Sequence, residues 1–115
     1  MCIRDRIATT DFIVDVLAEH GLEAVRFPGT GCYVDIGPAQ GERIAFRADI
    51  DALRVPEQTG LEFASVHPGV SHACGHDVHA TVVLALACAL STADLSVPVR
   101  CIFQPAEEVL SLIHI

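Results

Sequence analysis

A chain of 115 residues holds one domain at most, and 51% hydrophobic against 19% charged residues is the balance of a globular core rather than a disordered tail. Seven basic residues, all Arg, face 15 acidic ones for a net charge of -8, which speaks against nucleic acid or an anionic membrane surface as a partner. The longest apolar run, 80–90, falls short of the roughly 18 to 20 residues that cross a bilayer and reads as a buried helix.

The two ends do not read as native protein. Met1-Cys2-Ile3-Arg4-Asp5-Arg6 can be written ATG TGT ATA AGA GAC AGR, and the reverse complement of nearly all of that string encodes Leu110-Ser111-Leu112-Ile113-His114-Ile115. Two unrelated hexapeptides rarely satisfy that relation. Residues 1–6 and 110–115 are therefore expected to be artefacts of one inverted DNA element, matching the transposase end used in library preparation, and 7–109 the native portion. Without Cys2, four cysteines remain with no CxxC spacing, the pattern of reduced thiols in a cytoplasmic protein.

In chain order, Ile7 to His20 carries Ile7, Phe12, Ile13, Val16 and Leu17 at helical spacing with acidic residues between them, and Gly21 follows as a stop, so an amphipathic helix is expected. Leu22 to Phe27 is a short candidate strand, Pro28 to Gly31 a turn, and Cys32 to Ile36 an alternating second strand closed by Gly37-Pro38. Arg43 to Ala48 reads as a third strand whose Ile44, Ala45 and Phe46 suit a buried interior. Asp49 to Ser71 has no clear period and is expected to be a long functional loop. Asp77 to Leu90 is an apolar helix, and Val97 to Phe103 is a strand leading into Pro105-Ala106-Glu107-Glu108. Helix, strands, helix and strand in that order imply a layered α/β sheet. Cys32, Cys88 and Cys101 fall on strands and an apolar helix and are expected in the core, while His20 sits at a helix C-terminus, where the dipole favours an imidazole.

Three polar clusters fall where such a sheet places a ligand, outside the carboxyl ends of its strands: Asp49 with Asp51, Cys74 with His76, and Glu107 with Glu108. Cys74 and His76 are two apart, so in an extended segment they leave the same face and can reach one metal ion or two adjacent ones; the helix that follows favours a thiolate. On its own that pair is more often a packed thiol beside solvated imidazoles. Adjacent Glu107 and Glu108 point in different directions, so one can ligate while the other stays available as a base; alone they would pass for a helix-capping pair. Asp49 and Asp51 share a face and can either orient a ligand imidazole, ligate directly, or form a turn. His72 and His79 are open between substrate contact and structure, and His67 reads as a loop residue.

The combination Arg47-Ala48-Asp49-Ile50-Asp51-Ala52-Leu53, Glu57-Gln58-Thr59-Gly60, Phe63-Ala64-Ser65, His67-Pro68-Gly69, His72 to His79 and Gln104 to Glu108 resembles the M20 metallopeptidases. The branch it is most similar to contains aminoacylases, hippurate hydrolase, auxin-conjugate hydrolases and N-acetyldiaminopimelate deacetylase. The resemblance implies an α/β/α zinc-peptidase-like catalytic domain, present here in its N-terminal part only. It implies Cys74, His76 and Glu108 as ligands of two divalent ions, zinc or manganese first and cobalt or nickel as alternatives. Glu107 is then the general base, letting a bridging hydroxide attack the amide of an N-acyl amino acid, and Asp51 the acidic residue that supports the site. It implies a homodimeric parent.

Two departures stand out. Arg54 replaces the proline usual after Asp-Ala-Leu, and the family's further histidine ligands and lid domain would lie beyond Glu108, so the chain alone is expected to be inactive. Two other readings stay open: Cys74 as a nucleophile with His76 or His79 as its base, and a small non-enzymatic metal-binding domain.

Overall fold

The computed structural model describes residues 3–106. The first element is helix α1, Ile3–Glu19. Thr10, Ile13 and Leu17, spaced by three and four, are its buried stripe. Two residues counted into the apolar stripe lie outside it: Phe12 is 63% exposed and Ile7 is exposed as well, because the stripe is narrower than the run of apolar letters. The helix also begins at Ile3, not Ile7, so residues 3–6 of the segment assigned to DNA adapter are helical. Gly21 ends it at φ 72°, with Gly21 N–H donating to Ala18 O and Leu22 N–H to Leu17 O, a left-handed stop that closes the last carbonyls.

Strands β1 (Val25–Arg26), β2 (Cys32–Ile36), β3 (Ile44–Asp49) and β4 (Val99–Gln104) form one sheet in the order β1-β2-β4-β3. β1 is shorter than the expected 22–27. β2 pairs antiparallel with β1 and β4, whereas β3 pairs parallel with β4, in register from Ile44 against Val99 to Asp49 against Gln104. That parallel pair needs a long crossover, supplied by the loop after β3 and helix α2, His76–Leu90.

The alternation of the strands sorts the sheet into two faces. Cys32, Val34 and Ile36 of β2 and Val99, Cys101 and Phe103 of β4 are buried with Ile13 and Leu17 of α1 and Val83 and Ala87 of α2 in one hydrophobic cluster. The other face is polar. Asp35 and Arg100, direct partners across β2 and β4, form a two-pronged ion pair at 2.7 and 2.6 Å, and the Arg100 guanidinium stacks 4.2 Å from the Tyr33 ring centroid. The Arg100 hydrogen bonds hold the Asp35 carboxyl below its ordinary range.

Two expectations about burial need correction. Among the described residues β3 is the edge strand of the sheet, and Ile44 (50%) and Phe46 (40%) on it remain exposed while only Ala48 and Asp49 are buried. The apolar run in α2 is likewise not enclosed: Val83 and Ala87 face the sheet, Val78 and Val82 are about 60% exposed, and Cys88 is half-buried. No helix among the described residues is long and apolar enough to cross a membrane.

Cys32 and Cys101 lie fully inside the cluster, and burial pushes both thiols up to about 11. The reactive species is the thiolate. At pH 7.5 both should therefore resist iodoacetamide for as long as the fold persists, while Cys74 and Cys88 label. Mass mapping of the labelled peptides checks this.

Candidate metal centre

β3 ends at Asp49, and the chain runs through Ile50, whose N–H donates to Gln104 O at 2.9 Å, into Asp51. This continued pairing carries Asp51 beneath the start of α2, where its side chain is completely buried. From the other direction, Gly75 at φ 84° turns the chain into α2 without any side-chain cap, a conformation that glycine adopts at no steric cost. The turn places His76 as the first residue of the helix, buried against Asp51.

Asp51 is the hub. His76 Nδ1 lies 3.0 Å from Asp51 Oδ1 and 3.1 Å from its carbonyl oxygen, and Cys74 Sγ donates to that same carbonyl at 3.9 Å. Both neighbours of Nδ1 are acceptors, so the geometry assigns the proton to Nδ1. With Nδ1 turned to Asp51, Nε2 is the ring nitrogen through which such an imidazole ligates a metal. The sequence left Asp51 open between ligand, orienter and turn residue; its carboxylate lies against the His76 ring, where an orienting partner sits.

Asp49 is arranged differently. Arg47 donates to its Oδ2 at 3.0 Å, whereas Asp49 Oδ1 and Gln104 Nε2, register partners across β3 and β4, are buried with no hydrogen-bond partner among the described residues. A buried carboxylate oxygen without a donor, at the carboxyl end of parallel strands, suits a nearby cation. Thiol, imidazole and carboxylate are donor types that suit a divalent ion of the zinc or manganese kind. No three of them among the described residues gather closely enough to hold one alone. Glu107 and Glu108, the carboxylates expected to complete the set, lie outside the described residues.

The remaining histidines divide. His79 stands one turn beyond His76 on α2, ring centroids 6.3 Å apart, and is exposed, as is His72. His20 Nδ1 is 2.9 Å from Val16 O at the end of α1, the helix-terminal role expected of it. His67 stays in the loop, its N–H donating to Ser65 Oγ at 3.2 Å.

What the sequence did not single out is the part played by backbone: the Asp51 carbonyl, and Glu57, whose carboxylate collects donors from across its loop. Only the short spacing of Glu57 to Thr59 before Gly60 hinted at the latter.

The model of peptidase family M20/M25/M40 matches residues 45–112. The chain is 44% identical over 112 residues to the N-acetyl-L-cysteine deacetylase of Bacillus subtilis (strain 168), covering 91% of this chain and 26% of that protein. It is 54% identical over 101 residues to a Rhodococcus jostii (strain RHA1) protein provisionally named glutamate–cysteine ligase 2-3, covering 87% of this chain but 13% of that much longer polypeptide. Among solved structures, the Bacillus subtilis YXEP protein, a dinuclear metal-binding peptidase of family M20, superposes with a TM-score of 0.84 at 45% identity, covering 90% of this chain and 30% of that one. The chain thus spans 13–30% of the length of these three relatives.

Proposed function

Because this chain belongs to peptidase family M20/M25/M40, we propose that it is the N-terminal part of the catalytic domain of a metal-dependent amidohydrolase, the parent, acting on N-acyl amino acids. The observation that carries the reading is the Asp51–His76 contact: a fully buried carboxylate 3.0 Å from Nδ1 orients the imidazole as the partner of a metal-ligating histidine does. The deacetylase name of the Bacillus subtilis relative supports the substrate class, and the dinuclear description of the YXEP protein supports a pair of ions.

In this proposal Cys74, His76 and Glu108 hold two divalent ions, which when bound polarise an amide carbonyl and acidify water. Glu107 takes the proton of the attacking water and returns it to the departing amine. Asp51 touches no substrate; it keeps His76 oriented and basic. The thiolate, imidazole and carboxylate donors suit zinc or manganese best, with cobalt or nickel as alternatives. The 115-residue chain carries only part of the ligand set and hydrolyses nothing by itself. Residues 1–6 and 110–115 belong to adapter sequence in this account, and the parent is a cytoplasmic homodimer.

The test is hydrolysis of N-acetyl-L-cysteine and related N-acyl amino acids by the purified parent, before and after removal of metal by chelation. Activity that vanishes with the metal and returns with zinc or manganese supports the reading; a metal-loaded parent that cleaves no N-acyl amino acid sinks it. A second expected outcome concerns Asp51. Asp51→Ala in the parent should weaken zinc binding by roughly 10- to 100-fold, as loss of a ligand's orienting partner does, with Asp51→Asn recovering part of the loss because its amide oxygen can still accept from Nδ1. Zinc titration calorimetry reads both.

A further inference from the structure

Residues 53–71 run between the two halves of the site, from Asp51 to Cys74, and are tied at two levels. At the base, Leu53 and Ser71 exchange backbone hydrogen bonds of 2.9 and 3.1 Å. Further out, the Glu57 carboxylate gathers four donors. Oε1 accepts from Gln58 N–H and Thr59 N–H, both at 3.0 Å, and from Thr59 Oγ1 at 2.8 Å, while Oε2 accepts from Ser65 N–H at 3.0 Å. One oxygen shapes the turn that follows; the other pulls in the returning strand of the loop. The Ser65 N–H bond and then the Thr59 bonds hold this carboxyl down at about 2. The clamp is therefore fully charged above the ordinary carboxylate range and is lost only as pH falls toward 2.

Leu61 is 50% exposed, Phe63 84% and Val66 87%, so the apolar side chains of the loop tip bury little surface, and the loop leans on polar ties, among which the Glu57 clamp gathers the most donors. Glu57 and Ser65 also line a cavity of about 550 Å³ together with Ala52, His72 and Asp77, residues that flank Asp51, Cys74 and His76. A change at the clamp is one cavity wall away from the ligands.

We infer that Glu57 is a positioning residue: its carboxylate holds the 53–71 loop closed on its base and so keeps Cys74 seated against the Asp51 carbonyl. This rests on reading Cys74 and His76 as ligands, and it adds a part to the site that lies outside the ligand set itself.

The four described thiols make the experiment internally referenced. In the 115-residue chain, with EDTA present at pH 7.5, the rate of iodoacetamide labelling is followed at each cysteine for wild type, Glu57→Ala and Glu57→Gln. Cys74 labelling should rise roughly three- to tenfold in Glu57→Ala, the order set by losing about one net hydrogen bond of loop closure, with Glu57→Gln in between. Cys88, on the far part of α2, should not change, and Cys32 and Cys101 should stay unlabelled. Unchanged Cys74 rates in both variants overturn the inference. So does labelling of Cys32 and Cys101 along with Cys74, which would assign Glu57 to the stability of the whole fold. No metal or turnover enters the readout. A parent without hydrolase activity would therefore leave the clamp standing, and a failed clamp would leave the hydrolase standing.

Discussion

Glu107→Gln in the full-length parent should lower turnover by roughly two to four orders of magnitude, the usual contribution of a positioned general base, while metal content stays at the wild-type level. The two readouts separate because Gln keeps the shape and one acceptor oxygen of Glu but cannot take a proton. Cys74→Ala and Glu108→Ala should behave in the opposite way, lowering occupancy itself, and turnover only as a consequence. Elemental analysis of each variant beside its kcat distinguishes base from ligand. Unchanged turnover in Glu107→Gln would remove Glu107 from the chemistry, and a lost metal would move it into the ligand set.

The second large effect falls on a glycine. Gly31→Ala should destabilise the fold by about 2–4 kcal/mol, combining the strain of a non-glycine residue in the left-handed region with overpacking. Gly31 sits at φ 83°, and a Cβ there would meet Phe103 O at 2.6 Å and Pro105 Cδ at 2.9 Å. Both neighbours are stiff, one a strand carbonyl and the other a proline ring, so the clash cannot be relieved by a rotamer change. Gly31 also donates its N–H to Thr10 Oγ1 at 2.8 Å and accepts from Phe27 N–H at 3.0 Å. One small residue thus joins α1, the turn before β2 and the end of β4. The displaced segment leads through Pro105 and Ala106 toward Glu107. The substitution should therefore lower the urea midpoint and, in the parent, also reduce activity at temperatures where the protein stays folded. An unfolding free energy within about 0.5 kcal/mol of wild type, a level typical of surface substitutions, would contradict this packing.

The residues proposed to carry chemistry stand out in the sequence because chemistry restricts residue types. Cys74 and His76 two apart before a helix, and Asp51 just past a strand, become telling in combination, and the structure sets both Cys74 and His76 against Asp51. The order of elements was legible for a similar reason: β2 and β4 alternate or run apolar between turn residues, and Gly21 stops α1. Burial was less so. Phe46 and Val82 look like core residues in a string of letters, yet exposure is set by what lies beyond an edge strand or across a helix, which no local pattern encodes. The roles of Glu57 and Gly31 were hidden for a different reason, since each acts on backbone groups of residues distant in sequence, and backbone donors look alike at every position.

The most direct measurement is to read the source DNA outward from the segment encoding residues 7–109. The frame is expected to continue for a few hundred codons past Glu108, with further histidines to complete the ligand set and a second α/β domain, in proportion to the 26% and 30% of related chains that this one spans. A native stop codon directly after Val109 would contradict it, leaving Cys74, His76 and the two glutamates as an incomplete set and a small metal-binding domain in place of a hydrolase.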